Sequence, residues 1–339
     1  MAGNQRHRAP HPNGPDPEGL AASAVSGMES ARNFEINIPP FIGRLGGNGV
    51  ALSREPSNEA FLEKVPDAAP LMSLRDIFNP KPFLTVSLWK SALMEGVGSL
   101  MLVWLTIYAN VSPAIIPAAP TQRWGNFNNA SFIGPLVGGI LNFFYITMFT
   151  FCFGAVSGAH LNPTITIATL FARLCSLPRA VLYVSFQVGG AALGGLLARA
   201  SYGTRDFKVG GCWLYTDIVP VWDAFTIELM ACTILLFFAF GVGLDPRQRN
   251  IIGPTLGPFL VGIALGSLSF GTGFTRYGYG GASMNPARCF GSYIGSSFPG
   301  FHWIHWAADF IACIVHAVFY HLHAVNAAKT TFDPLLNTT

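Results

Sequence analysis

The chain has 339 residues, 51% of them hydrophobic and only 11% charged, with a formal net charge of +3 and a mean hydropathy of +0.42. Soluble domains carry about 25% charged residues, so this composition points to a membrane protein, and a small positive balance without long blocks of one sign gives no support to a nucleic-acid partner. The six cysteines, at 152, 175, 212, 232, 289 and 313, form no CxxC or Cys/His spacing, so no metal and no cofactor are expected.

Residues 1–86 are rich in Pro, Gly, Ala, Asn and charge and hold no apolar run long enough to span a bilayer. They are expected to form a disordered tail ahead of a membrane domain over 87–325, with a short tail over 326–339. Arg75, Lys81 and Lys90 lie close to the first apolar run and favour a cytosolic N-terminus by the positive-inside rule. A span needs about 20 mostly apolar residues. Six segments qualify, near 88–109, 133–156, 178–201, 222–243, 252–270 and 303–325, and an even number places both termini on one side. The loops agree in part: Arg173, Arg179, Arg247 and Arg249 fall on the cytosolic side, whereas Arg199, Arg205 and Lys208 flank an outer loop. Asn110-Val111-Ser112 and Asn129-Ala130-Ser131 are glycosylation triplets in the first outer loop. Phe301-His302-Trp303-Ile304-His305-Trp306 has the composition of an interfacial aromatic belt, and anchoring is a better reading of its two His than metal binding.

Two stretches repeat one helix-start signal in apolar surroundings: Ser157-Gly158-Ala159-His160-Leu161-Asn162-Pro163-Thr164 and Gly280-Gly281-Ala282-Ser283-Met284-Asn285-Pro286-Ala287-Arg288-Cys289. Asn is a favoured N-cap and Pro a favoured first helical residue. The apolar run after each is about a dozen residues, about 18 Å as a helix, too short for a hydrocarbon core of about 30 Å. Half-spans are admissible where their non-helical backbone lines a cavity or is covered by protein. Each half of the chain then reads as span, span, half-span, span. With three full spans per half, the second copy enters from the opposite side, giving a 3+3 inverted repeat of six transmembrane helices and two re-entrant half-helices in an all-α membrane protein.

Glu95 in the first span and Glu228 in the fourth occupy equivalent places in the halves. An intramembrane carboxylate is a functional candidate by default, but each Glu stands alone, without a chain of titratable partners, so anchoring the backbone N–H groups of the half-helix loops is favoured over a proton relay. Asn162 and Asn285 cap their half-helices and can turn amide donors toward a pore, where two positive helix ends repel cations. Arg288 adds a fixed charge and a fork of donors.

At these residues the chain resembles the major intrinsic protein, or aquaporin, family over its whole length beyond the tail. The Asn162-Pro163-Thr164 and Asn285-Pro286-Ala287-Arg288 runs carry the likeness, supported by His160, Glu95, Glu228 and Gln187. Thr164 departs from the usual Asn-Pro-Ala. Cys289 after Arg288, with Gly210-Gly211-Cys212 in an outer loop, resembles the X intrinsic protein subfamily, whereas an aquaglyceroporin would be expected to carry Asp at position 289.

The resemblance implies a passive, non-enzymatic homotetrameric channel for water and small uncharged solutes in the lipid bilayer, at the plasma membrane. Counting from the boxes, it implies a constriction formed by Asn142, Ser269, Ala282 and Arg288, wider and more polar than in water-selective members and open to glycerol, urea or hydrogen peroxide. Phe143 is the alternative pore-facing neighbour of Asn142. Cys212 and Cys289 are expected as reactive thiols at the outer mouth, or, for Cys289, as a small packed side chain. The competing classes are a strictly water-selective channel, an ion-coupled transporter, which would need more coordinating groups near the helix break, an enzyme, for which no HExxH or GxSxG run is present, and a closed structural protein.

Overall fold

The computed structural model describes residues 40–46, 51–70, 72–113 and 129–332. Six helices within them are long and apolar enough to cross a membrane: Val86–Asn110, Phe132–Gly154, Leu177–Tyr202, Val221–Leu244, Thr255–Gly273 and Trp303–Leu322. These are the first to sixth spans below. Two shorter helices, Pro163–Phe171 and Pro286–Gly295, are the first and second half-helices. The fourth span ends in a π turn over Phe240–Leu244. The helix holding the fifth span begins at Pro246 and breaks at Gly253, whose φ of 78° no helix accommodates.

The spans carry large apolar side chains on their outer faces, among them Leu93, Ile140, Leu197, Phe238 and Phe319, as lipid-facing helices do. Inside, small residues let backbones touch. A Cβ on Gly195 would collide with the carbonyl of Gly291, and one on Gly295 with that of Gly195, so the third span and second half-helix meet without side chains between them. Outside the membrane region, β1 (Val111–Pro113) pairs antiparallel with β2 (Phe207–Val209), Val111 opposite Val209. This pairing holds the loop after the third span against the end of the first. Asn110, the first glycosylation triplet's acceptor, is held here: its side chain donates to Thr106 O at 2.9 Å and its carbonyl accepts from Gly210 N.

The expected disordered tail over 1–86 is corrected in part. Residues 1–39 lie outside the described residues, but Glu59–Leu62 and Leu74–Ile77 are single helical turns, the second closed by a capping box between Ser73 and Asp76. Asp67 is buried against Arg179, accepting from its Nε at 2.8 Å and Nη2 at 2.9 Å, and from Ser176 N and Oγ at 3.1 and 2.6 Å. This contact has no local mark in the sequence, because it joins residues 112 positions apart. At the other end the helix of the sixth span continues to Phe332, into the expected 326–339 tail; residues 333–339 lie outside the described residues.

Burial works against the Asp67 charge, but Arg179 and the Ser176 donors outweigh it and hold the carboxyl below its ordinary range. A lowered folded value stabilises above the unfolded pKa, about 4, and is lost as pH falls through the folded one. Thermal unfolding of the purified protein is therefore expected to be insensitive to this pair between neutral pH and about 5. Asp67→Ala, which leaves Arg179 buried and unpaired, is expected to cost about 3–5 kcal/mol, read as a lower midpoint at neutral pH and a smaller difference from the parent in strong acid.

Candidate functional site: the junction of the half-helices and the outer cavity

The two half-helices meet start to start. Asn162 caps the first, its Oδ1 accepting from Thr164 N at 2.9 Å, and Asn285 caps the second, its Oδ1 accepting from Arg288 N at 3.2 Å. Each amide also reaches across the junction. Asn162 Nδ2 donates to Met284 O at 2.7 Å and Asn285 Nδ2 to Leu161 O at 3.0 Å. Sequence reasoning gave these amides to the pore; one N–H of each instead ties the halves together.

The accepting carbonyls belong to residues in the left-handed region, Leu161 at φ 50° and Met284 at φ 56°, which costs a non-glycine residue about 1–2 kcal/mol. The carboxylates hold them there. Glu95 accepts from His160 N at 3.1 Å and Leu161 N at 2.6 Å, and also takes the Ser157 hydroxyl and, at 2.8 Å, Gln187 Nε2. Glu228 accepts from Ser283 N at 2.8 Å and Met284 N at 2.6 Å. Both side chains are fully buried, so these contacts satisfy N–H groups that lipid cannot.

The expectation that each Glu stands alone is corrected for the second half. Asp309 of the sixth span lies beside Glu228, accepting from Cys232 Sγ at 2.8 Å and from Thr164 Oγ1 at 2.6 Å. His305 Nδ1 is 3.5 Å from Glu228 Oε1, and its Nε2 meets Tyr293 OH at 3.0 Å. The reading of 301–306 as an interfacial anchor is likewise corrected: Trp303 is exposed beside Trp222, but His305 is interior. Oxygens of Glu228 and Asp309 and the Cys232 sulfur lie within 4.8 Å of one another, yet every one of them already has a protein partner. Asp309 stands 24 residues beyond Asn285 and Gln187 25 beyond Asn162. Those offsets, equal to within one residue, are the signal that could have found it. It also accounts for Thr164, whose hydroxyl is the bridge from the first half-helix to Asp309.

On the side of the second half-helix a cavity of about 390 Å³ opens, its walls including Asn142, Ser269, Ala282 and Arg288. Asn142 Nδ2 is 3.5 Å from Ser269 Oγ. Phe143 instead packs against Phe259 and closely approaches Gly262 and Gly266 between the second and fifth spans. Arg288 Nη2 donates to Gly210 O at 2.6 Å, a partner in the outer loop that the sequence did not suggest. Gly211 has φ 79°, and a Cβ there would stand 2.6 Å from Arg288 Nη1, so glycine is required on both counts. Lys208 at the rim lies over the Trp213 ring; partial burial lowers its pKa, against the pull of Asp206.

Cys212 and Cys289 are joined as a disulfide, their Cα atoms 5.2 Å apart, which corrects the expectation of two reactive thiols. The Gly210–Cys212 turn lies against the start of the second half-helix, with Gly211 close to Arg288 and Cys212 O accepting from Tyr293 OH, which brings the two cysteines together. The free cysteines are Cys152, exposed on the outer face of the second span, and buried Cys175, Cys232 and Cys313.

Residues 83–320 match the profile of the Major intrinsic protein family. The chain belongs to that family. Relatives include Aquaporin-4 of Rattus norvegicus, 28% identical over 239 residues covering 70% of this chain and 68% of that protein. Another is Probable aquaporin TIP4-1 of Oryza sativa subsp. japonica, 32% identical over 182 residues, 54% of this chain and 68% of that protein. The aquaglyceroporin structure from Plasmodium falciparum aligns with TM-score 0.49 at 20% identity, over 68% of this chain and 94% of that one. The protein is thus a multi-pass membrane channel for water and small solutes, not an enzyme.

Two outcomes follow from this geometry. Denatured without reductant the protein should titrate four free thiols, and six after reduction, and a count of six before reduction contradicts the Cys212–Cys289 bond. Glu228→Ala should strip Ser283 and Met284 of their acceptor and remove several kcal/mol of stability, at about 1–3 kcal/mol per unsatisfied buried donor, seen as loss of monodisperse protein on size-exclusion chromatography.

Proposed function

We propose that the channel passes small uncharged solutes of the glycerol, urea and hydrogen peroxide class together with water, and excludes ions and protons. The observation that carries this is the composition of the outer cavity's wall, where an amide (Asn142) and a hydroxyl (Ser269) face the same space as the Ala282 methyl and the Arg288 side chain. Those groups exchange hydrogen bonds with a polyol hydroxyl or a urea amide as readily as with water, and none is large enough to narrow the passage as an aromatic ring would. Asn142, Ser269, Ala282 and Arg288 act as the selectivity filter. Arg288 and the two half-helix N-termini at Asn162 and Asn285 keep the path positive, so a cation pays both desolvation and repulsion there.

Further readings rest on sequence features. The Asn285-Pro286-Ala287-Arg288-Cys289 run and Gly210-Gly211-Cys212 support placement in the X intrinsic protein subfamily. The exposed apolar faces of the spans suit a homotetramer in the plasma membrane, and the basic residues around 75–90 suit cytosolic termini with the Arg288 cavity outside. A strictly water-selective channel is the competing reading.

Stopped-flow light scattering on proteoliposomes, run with separate water and glycerol gradients, tests this. Wild-type protein should pass both, and Asn142→Phe with Ser269→His should abolish most glycerol flux while sparing water. Wild-type vesicles that swell with water but exclude glycerol and urea would overturn the solute range. Arg288→Ala should admit larger solutes and raise proton leak.

A further inference from the structure

The segment over residues 40–46 runs through the face of the channel opposite the outer cavity. Phe41, Ile42, Arg44 and Leu45 are all buried, the most exposed at 6%, which is not how a tail lying on a surface behaves. It is ringed by elements from both halves. Arg44 Nη1 donates to Gly154 O at 2.6 Å and Ala155 O at 3.0 Å at the end of the second span. Leu45 N and Gly46 N donate to Gly158 O at 2.8 and 3.2 Å. The Gly43 carbonyl accepts from His160 Nε2 at 2.7 Å. Ile42 and Leu45 join one apolar cluster with Ile165 and Ala168 of the first half-helix, Phe240 and Leu244 of the fourth span's end, and Val261 of the fifth.

On the channel reading proposed above, a path continuing from the Asn162–Asn285 junction to this side runs past the Gly158–Leu161 loop, whose Gly158 carbonyl and His160 ring are polar groups a solute would meet there. Here the Gly158 carbonyl and His160 Nε2 are taken by backbone of residues 43–46, and the apolar side chains of Ile42 and Leu45 fill the space beside them. The fit is close: a Cβ on Gly43 would stand 2.6 Å from Leu174 O, and one on Gly46 2.5 Å from Thr150 Cγ2. The segment also rests on the Asp67–Arg179 pair, through Ile42 N, which donates to Asp67 O at 2.8 Å, and through Arg179, which stacks on Phe41 at 4.1 Å.

We propose that residues 40–46 are an autoinhibitory plug, closing the inner mouth by occupying the Gly158 carbonyl and His160, and that the channel conducts when this segment withdraws, giving up its contacts to Asp67 and Arg179 while the Asp67–Arg179 ion pair itself stays closed. The proposal rests on the channel reading above. A plug lowers water and glycerol flux of the wild type together, so the proposal is judged on the change in water flux between variants. The solute range is judged on the ratio of glycerol to water flux within one protein, and the two fail separately.

The test uses the full chain. Gly43→Val with Gly46→Val adds side chains that cannot seat against Leu174 and Thr150 and changes no residue of the channel wall. Arg44→Ala, which removes the donors to Gly154 and Ala155, repeats it with less disturbance. In proteoliposomes matched for protein, water permeability should rise about tenfold in the double valine variant, a shift that about 1.4 kcal/mol of lost seating energy produces, and by less in Arg44→Ala. In parallel, Ile42→Cys should be labelled slowly by a membrane-impermeant maleimide in the parent background and quickly beside the two valines. Permeability equal to wild type in both variants overturns the proposal. So does fast labelling of Ile42→Cys in the parent, or fast labelling with the two valines and no gain in flux.

Discussion

A channel that breaks two helices inside a bilayer must find partners for the freed backbone groups, and everything at the centre of this protein depends on how Glu95 and Glu228 supply them. Each carboxylate binds two consecutive N–H groups of the loop ahead of a half-helix. That holds Leu161 and Met284 in left-handed conformations, which turn their carbonyls toward the opposite Asn. The cross-bonds from Asn162 and Asn285 then fix where the two positive helix ends lie. Loss of either carboxylate would release the loop, the carbonyl and the cap together, since an unpaired donor in an apolar interior has no water to fall back on.

The halves solve the same problem with different chemistry at the next position out. In the first, an amide, Gln187, donates to Glu95 and to Thr166. In the second, the corresponding place holds Asp309, a second carboxyl, and the donors come from Cys232 and Thr164. Thr164 therefore links the halves through a side chain where alanine could not. The departure from Asn-Pro-Ala and the presence of Asp309 are one feature, and replacing either alone leaves the other buried with an unmet hydrogen bond.

The repeat, the half-helices, the caps and the carboxylates were legible in the sequence because each is written locally: apolar length, an Asn-Pro start, a lone charge in an apolar run. The constriction residues came from the family resemblance, by counting from each Asn-Pro box, and Asn142, Ser269, Ala282 and Arg288 line one cavity. What escaped was carried by contacts between distant positions with no local mark. Asp67 looked like one more charge in a polar tail, yet it meets Arg179. Pro40 to Gly46 is too short and too mixed to register as an element, and its burial exists only because the channel surrounds it. Cys212 and Cys289 were correctly placed on one side, but pairing is a statement about distance, which spacing along the chain does not contain. The two His near the start of the sixth span were misread for the same reason: helical periodicity says which face a residue occupies, not that Glu228 and Tyr293 wait on it.

The two mouths are held by bonds of different reversibility, and this bears on how each can work. On the side of the second half-helix, the loop whose Gly210 carbonyl orients Arg288 is fixed covalently through Cys212 to the residue after Arg288, which restricts how far the loop and the guanidinium can separate. On the opposite side, residues 40–46 are held by backbone hydrogen bonds and by the Arg44 guanidinium, bonds to groups that water can satisfy once the segment leaves. Such an exchange is worth only about 0.5–1.5 kcal/mol per bond, and burial of Ile42 and Leu45 adds about 1.5–3 kcal/mol each at most, partly offset by the entropy of ordering a glycine-containing strand. Separating buried Asp67 from Arg179 as well would add about 3–5 kcal/mol. Displacement of residues 40–46 with the Asp67–Arg179 pair intact avoids that added cost, and it leaves the cavity around Arg288 untouched.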